Sequence, residues 1–251
     1  MKFSIVCPDI PYVLALNDIV KAMFYSLLDL HHDVEIRKDF NTTNRMIIFG
    51  SHRPEILKIV SYLPKNSIIY NTEQYSTWKT FEYVETISKF NIWSIFNDIL
   101  GTYVPVGYVP YLTPNISSDK DIDILFYGCN SIHRSELLLS LSKNFRICFL
   151  GYDTDKSSYI LRSKSVISLN YNGITSDRLA IARLFIPMHY KIATISERTD
   201  DKTDWPSHKG VFDIESIWKV CDEYKYYGEM SYQELIKFPM KNFIEKALDV
   251  K

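Results

Sequence analysis

Short apolar runs alternate along this chain with longer stretches of helical spacing, a repeating strand–helix pattern. Phe3-Ser4-Ile5-Val6-Cys7 reads as a buried strand, stopped by Pro8, which has no amide to continue a ladder. Leu16, Ile19, Val20, Met23 and Leu27 fall three and four apart, predicting a helix over residues 15–30. Val34-Glu35-Ile36 alternates as a second strand, and Met46 to Phe49 is a fully apolar third strand ending at Gly50. Pro54 opens a helix carrying Ile56, Leu57, Ile59 and Val60. Ser67 to Tyr70 is a fourth strand, followed by the polar turn Asn71-Thr72-Glu73-Gln74. A helix near 77–89 and a strand near 92–96 complete the first half.

Residues 101–120 change character, with three prolines, two glycines and then a polar run that continues neither element type. The pattern then restarts. Asp123 to Tyr127 is a strand with a glycine turn at Gly128, leading into a helix over about 131–141. Strands follow over 145–150, 165–170 and 192–196, separated by helices near 155–163 and 176–190. The tail carries helices near 214–226 and 231–249. The expected fold is α/β, two Rossmann-like domains facing across a cleft, spanning residues 1–112 and 113–251.

Composition narrows the classes. A chain of 251 residues suits one large domain or two compact ones of about 110–130 residues each. With 46% hydrophobic residues it has enough apolar surface for real cores, which excludes a disordered chain. A formal charge of -1 with scattered Lys and Arg gives no electrostatic footprint for nucleic acid, so no nucleic-acid partner is expected. Cys7, Cys129, Cys148 and Cys221 show no metal-ligand spacing and read as reduced thiols of a cytoplasmic protein. The start of the chain lacks the features of a signal peptide, and no apolar run is long enough for a transmembrane segment. Peripheral membrane contact remains compatible with the pattern.

In open parallel sheets ligands bind beyond the carboxyl ends of strands, where the strand order reverses. The residues just after strands are therefore the informative ones. In the first half these are Asp9, Ser51 and His52, and Asn71 to Gln74; in the second they are Gly128 to Asn130, Gly151 to Asp153, Asn170 to Asn172, and Glu197. Gly128 followed by Asn130, His133 and Arg134 is a strand–turn–helix whose first amides can hold phosphate, with Arg134 adding charge. It is equally a plain turn between a strand and a helix. Glu197, after the strand ending at Ser196, can accept from ribose or sugar hydroxyls, or be a solvated strand-end carboxylate.

The stretch Asp123 to Glu197 resembles the nucleotide-sugar-binding half of GT-B glycosyltransferases, nearest to the CgeB/DUF3880-like, family 1-type branch. The resemblance rests on Asp123-Ile124-Leu125-Phe126-Tyr127-Gly128 with Arg134, then Leu150-Gly151-Tyr152, then Leu169-Asn170-Tyr171, then Arg183 and, 14 positions later, Ser196-Glu197. Pro105 to Pro110 resembles the interdomain segment of the same proteins. It covers residues 100–200; the first half is similar only in topology. The resemblance implies transfer of a sugar from a nucleoside diphosphate sugar to a hydroxyl of a glycan or other acceptor, without metal or other cofactor. It implies a donor site of Gly128, Asn130, Arg134, Tyr152, Asn170, Arg183 and Glu197. The first half would then supply a general base, with Asp9, His52 and Glu73 as candidates. Ala180 departs from the resemblance, whose members often carry a glutamate there, which leaves the two-glutamate retaining pattern open, with Asp177 or Arg178 as alternatives for that role or a helix that only packs.

Two other readings fit parts of the sequence. Asp153-Thr154-Asp155 follows an apolar strand, as in metal-dependent GT-A glycosyltransferases; Asp121-Ile122-Asp123 precedes its strand, on the wrong side for a metal. A non-catalytic nucleotide- or sugar-binding protein would keep the shell and lack a working base, and Ala180 keeps that reading open.

Overall fold

The computed structural model describes residues 1–9, 16–72, 81–97, 101–114, 119–151, 156–171, 176–178, 180–197, 199–201 and 205–249. The chain divides into two compact units, Met1–Val106 with Met240–Lys251, and Gly107–Pro239. These differ from a division at 112/113 in two ways. The crossing comes earlier, and the last helix belongs to the first unit.

The first unit is built from β1 (Lys2–Val6), α1 (Asn17–Asp29), β2 (Asp33–Arg37), β3 (Arg45–Ile48), α2 (Pro54–Val60), β4 (Ile68–Asn71), α3 (Phe81–Ile87), β5 (Asn91–Ser94) and β6 (Thr102–Tyr103). Its sheet runs β2-β1-β3-β4-β5-β6, parallel throughout. The chain leaves β1 for β2 on one side and returns to β3 on the other, so the order reverses between β1 and β3. Strand β6 lies inside the proline-rich stretch read as a pure crossing: two residues are too few to show a period.

Phe3, Ile5, Met46, Ile47, Ile48, Ile68, Ile69 and Trp93 form the buried part of this sheet. Each such side chain contributes about 1.5–3 kcal/mol over leaving it exposed. Helix α1 buries Ile19, Val20, Met23 and Leu27, the stripe its spacing predicts. It ends at His31, whose φ of 60° lets His31 N and His32 N bond back to Leu28 O and Leu27 O.

The second unit holds β7 (Ile122–Tyr127), α4 (Ile132–Leu141), β8 (Ile147–Leu150), α5 (Ser157–Arg162), β9 (Ser163–Ser168), β10 (Ser176–Arg178), α6 (Ile181–His189), β11 (Ala193–Ser196), β12 (Thr199–Asp201), β13 (Val211–Asp213), α7 (Ile217–Asp222) and α8 (Tyr224–Ile236). Its sheet runs β13-β11-β9-β7-β8, again all parallel, and reverses between β7 and β9. Ile124, Phe126, Ile167, Leu169, Ala193 and Ile195 pack in its core with Ile217 and Val220 of α7.

Two helices expected from the sequence are broken in the structure. The stretch 176–190 begins as β10, paired in parallel with β12, and becomes α6 only at Ile181. Helix α6 closes as α1 does, with Lys191 at φ 55° and Ile192 N bonding to Pro187 O. The tail helix expected over 231–249 is interrupted at Pro239, which has no amide and clashes with a preceding turn. α8 therefore stops at Ile236, and α9 (Met240–Asp249) starts anew in the first unit, against α1 and β6.

Candidate functional site

The reversal between β7 and β9 is where the second unit gathers its polar chemistry. Gly128 leaves β7 at φ 136°, a conformation that L side chains rarely adopt, and donates its amide to Leu150 O. Ser131 is the N-cap of α4, its hydroxyl accepting from Arg134 N at 3.3 Å and donating to Tyr171 O in the loop after β9. Asn130 Oδ1 accepts from Ser131 N and Ser135 Oγ, both at 2.9 Å. Gly128 and Asn130 thus shape the turn.

Arg134 departs from the phosphate role read from sequence. Its side chain is only 6% exposed, and its guanidinium donates to Leu169 O, Asn170 O and Cys129 O at 2.7, 3.2 and 2.6 Å. Those carbonyls lie where the chain leaves β7 and β9 at the reversal, so Arg134 clamps one loop to the other. Charge-assisted bonds to carbonyls satisfy backbone groups that the strands no longer can. Its guanidinium carbon also lies 5.4 Å from the Phe126 ring centre and 5.2 Å from that of Tyr171.

Arg183, in the first turn of α6, reaches the same edge by a different route. Its Nη1 donates to Ser168 Oγ at 3.1 Å, and its guanidinium carbon sits 5.1 Å from the Phe126 ring centre. Lys156 Nζ stands 5.1 Å from the ring centre of neighbouring Tyr127. Cations on these rings mark the carboxyl end of β7 as electropositive.

Glu197 provides the opposing charge. Its backbone amide continues the ladder to Ser168 O at 3.0 Å, and its carboxylate bonds to His133 Nε2 at 2.7 Å and to the amide of Asn170. With only 14% of its side chain exposed, Glu197 is held from α4 and from the loop after β9 together. Beside it opens a groove of about 560 Å³ lined by Ser131, Ile132, His133, Glu136 and Tyr171. Ile132 and Tyr171 are 80% and 53% exposed there, an apolar floor for a flat ligand.

Of the expected donor-site residues, Gly128, Asn130, Arg134, Asn170, Arg183 and Glu197 therefore gather at one sheet edge, and Tyr152 lies outside the described residues. His133, Lys156 and Tyr171 join them. His133 stands beside Arg134 in the sequence, but its partner is 64 positions away, a pairing no local pattern reveals. Lys156 had only its position after the strand ending at Leu150 to signal it.

In the first unit Asp9 follows β1 and His52 lies in the turn after β3, one on each side of the reversal. Asp9 is exposed, with Lys38 Nζ 3.8 Å from its carboxylate, and His52 is half-buried. Glu73 lies outside the described residues. Between these loops and the core runs a buried chain that sequence reading missed: Ser51 Oγ to Tyr83 OH at 3.3 Å, Tyr83 OH to Asn71 Oδ1 at 3.1 Å, and Asn71 Nδ2 to Ser94 Oγ at 3.4 Å. Single hydroxyls and amides at strand ends look like ordinary turn residues, which hides such a chain.

Asp121 and Asp123 are committed at the opposite edge of the second sheet, to Arg162 and to Arg146 and Lys164 respectively. Asp153 and Asp155 lie outside the described residues. Ala180 is the exposed N-cap residue of α6. Among the described residues no helix is long and apolar enough to cross a membrane.

No family model matches this chain, and no curated protein matches it either. Solved structures do. A DNA modifying enzyme, β-glucosyltransferase, solved with and without uridine diphosphoglucose, matches with a TM-score of 0.60 at 14% identity, covering 100% of both chains. An α-glucosyltransferase in complex with UDP and a 13-mer DNA containing a HMU base matches with a TM-score of 0.62 at 10% identity, covering 99% of both. AviGT4, a glycosyltransferase of avilamycin A biosynthesis, matches with a TM-score of 0.59 at 9% identity, over 99% of this chain and 96% of its own. At such identities the likeness speaks for the fold: this chain has the GT-B fold, two Rossmann-like domains each built on a parallel sheet.

Proposed function

We propose that this protein is a glycosyltransferase that moves a hexosyl group from a nucleoside diphosphate sugar to an acceptor hydroxyl, without a metal ion. The observation that carries this reading is the convergence of Arg183, Lys156, Glu197 and His133 at the reversal of the second sheet. Cations there suit a diphosphate leaving group, and the anchored carboxylate of Glu197 suits ribose or sugar hydroxyls. The amides that open α4 add donors at the positive end of its dipole. Similarity to enzymes described with UDP or uridine diphosphoglucose supports the same donor class.

In the reaction the acceptor oxygen bonds to the anomeric carbon as the bond from that carbon to the diphosphate oxygen breaks. The hydroxyl proton passes to a base, and the diphosphate leaves against the cations. Asp9 is our first candidate for that base and His52 the second, because they flank the reversal of the first sheet; Glu73 is the third. The assignment to the CgeB-like branch rests on the order of motifs from Asp123 to Glu197 alone. The acceptor reading stays at a hydroxyl. DNA in the description of two similar structures supports testing a hydroxymethylated base, and the charge of -1 argues for a glycan.

A thermal-shift and turnover screen of UDP, GDP, dTDP and CDP sugars, with EDTA and with Mn²⁺, tests the proposal. Binding of one nucleotide class and transfer or slow hydrolysis that survives EDTA is expected. Activity abolished by EDTA and restored by Mn²⁺ would return the GT-A reading, and binding without any turnover would leave a nucleotide-binding protein.

A further inference from the structure

Helix α6 contains a proline, Pro187, two residues before its last, and the consequence falls on Arg183. In a regular helix the amide of residue 187 would bond to the carbonyl of residue 183. Pro187 has no amide, so that helical bond cannot form. The structure fills the position from another element: the Tyr127 hydroxyl, at the carboxyl end of β7, donates to Arg183 O. The same Tyr127 carries Lys156 Nζ over its ring at 5.1 Å. Its neighbour Phe126 carries the Arg183 guanidinium at the same distance, and Arg183 Nη1 reaches Ser168 Oγ at the end of β9.

We infer that Tyr127 is the positioning residue of the diphosphate subsite, setting Arg183 through its hydroxyl and Lys156 through its ring, and that Lys156 is a second binding cation for the diphosphate. The inference rests on the donor reading proposed above. A carbonyl acceptor on the first turn of α6 fixes where that turn sits relative to β7. Displacing the turn moves the guanidinium off Phe126 and away from Ser168. The Tyr127 ring face attracts an ammonium, which places Lys156 without engaging its hydrogen-bonding protons with the ring in a rigid geometry. A diphosphate at the reversal would meet the positive charge of both cations together with the amides of the turn after Gly128 and the start of α4.

The test is a double-mutant cycle read by binding. With the nucleoside diphosphate that binds best among UDP, GDP, dTDP and CDP, Tyr127→Phe should raise Kd about five- to tenfold, the scale of one lost hydrogen bond. Pro187→Ala restores an amide beneath Arg183 O, so Tyr127→Phe combined with Pro187→Ala should recover most of that loss. Lys156→Met should weaken the nucleoside diphosphate about tenfold and leave the Kd of the matching nucleoside unchanged. Urea unfolding of each variant separates lost stability from lost binding. If Tyr127→Phe lowers stability while Kd stays put, or the second change gives no rescue, the positioning role is wrong and the donor reading stands. If Lys156→Met weakens nucleoside and nucleoside diphosphate alike, the diphosphate assignment of Lys156 is wrong. If the wild-type protein binds none of the four nucleotides, the donor reading falls and this inference with it.

Discussion

At the carboxyl edge of the first sheet, Ser51, Tyr83, Asn71 and Ser94 join β3, α3, β4 and β5 through neutral hydroxyls and amides, all of them buried. At the same edge of the second sheet the corresponding positions carry ions: Arg134 on carbonyls, Arg183 on Ser168, and Glu197 on His133 and Asn170. Both sheets are parallel and both reverse beside their first strand. The same architecture thus supports two edges of different chemistry. Buried neutral groups hold the turn after β3 and the end of β4 rigid, while the charge at this edge, Asp9 with Lys38, stays exposed, which fits the acceptor role proposed for this unit. A charged edge with its members already hydrogen-bonded is preorganised for an anion, where ordering costs are met before the ligand arrives.

The largest effect should come from the first unit. Asp9→Asn should lower kcat by about 10²- to 10⁴-fold, the usual contribution of a general base, while nucleoside diphosphate affinity stays within twofold. Initial rates at saturating donor, paired with direct binding measurements, check both halves of that expectation. A kcat within fivefold of wild type for both Asp9→Asn and His52→Gln would remove these two candidates and break the division of labour between the edges.

Much of this was legible in the sequence, for reasons that differ by element. Strands such as Ile124 to Phe126 and Ile192 to Ile195 declare themselves because both faces of a parallel sheet are covered, so nearly every position is apolar, Thr194 excepted. Strand ends then locate the candidate residues, and Gly128, Asn170 and Glu197 do stand at one edge. The role of Arg134 was not legible. An arginine after a glycine turn has the same local pattern whether it meets a phosphate or three carbonyls, and only the loop after β9 decides. The break at Ile181 was hidden because β10 pairs with β12, more than 20 positions away in the chain. The interruption at Pro239 was visible, and its meaning needed the next helix to be seen in the first unit.

That distinction between the two arginines gives the second prediction. Arg134→Met should cost about 3 kcal/mol of stability, because Cys129 O, Leu169 O and Asn170 O lose charge-assisted donors in a buried setting. Arg183→Ala should instead weaken nucleoside diphosphate binding by about 1.5–3 kcal/mol, with a smaller change in unfolding. Urea denaturation and calorimetric titration of the two variants side by side decide the matter. Equal losses of binding for both, with no difference in stability, would mean that Arg134 also meets the ligand and that its clamp is incidental.

The smallest effect concerns acid, and it sharpens the contrast from the other edge of the second sheet. Asp123 is the second residue of β7, and its carboxylate accepts from Arg146 N at 2.8 Å, Arg146 Nε at 3.2 Å and Lys164 Nζ at 2.8 Å. Burial alone would raise its pKa, and the hydrogen bonds from Arg146 and Lys164 outweigh that and hold it well below the usual carboxylate range. A folded-state pKa below the unfolded value stabilises the fold fully above the unfolded value, about 3.9, and the gain is lost as pH falls through the folded value. In the first unit the lowered carboxylates Glu35 and Asp39 are 43% and 60% exposed, where solvent screens their pairs. Acid should therefore loosen β7 and β8 before β1 and β3. Asp123→Asn should cost about 2 kcal/mol at neutral pH and flatten the acid limb of the stability curve. Hydrogen exchange from pH 5 downward, read separately for the two sheets, tests it. Simultaneous loss of protection in both would place the acid-sensitive group elsewhere, and an unchanged acid limb in Asp123→Asn would show that Arg146 and Lys164 contribute little through this carboxylate.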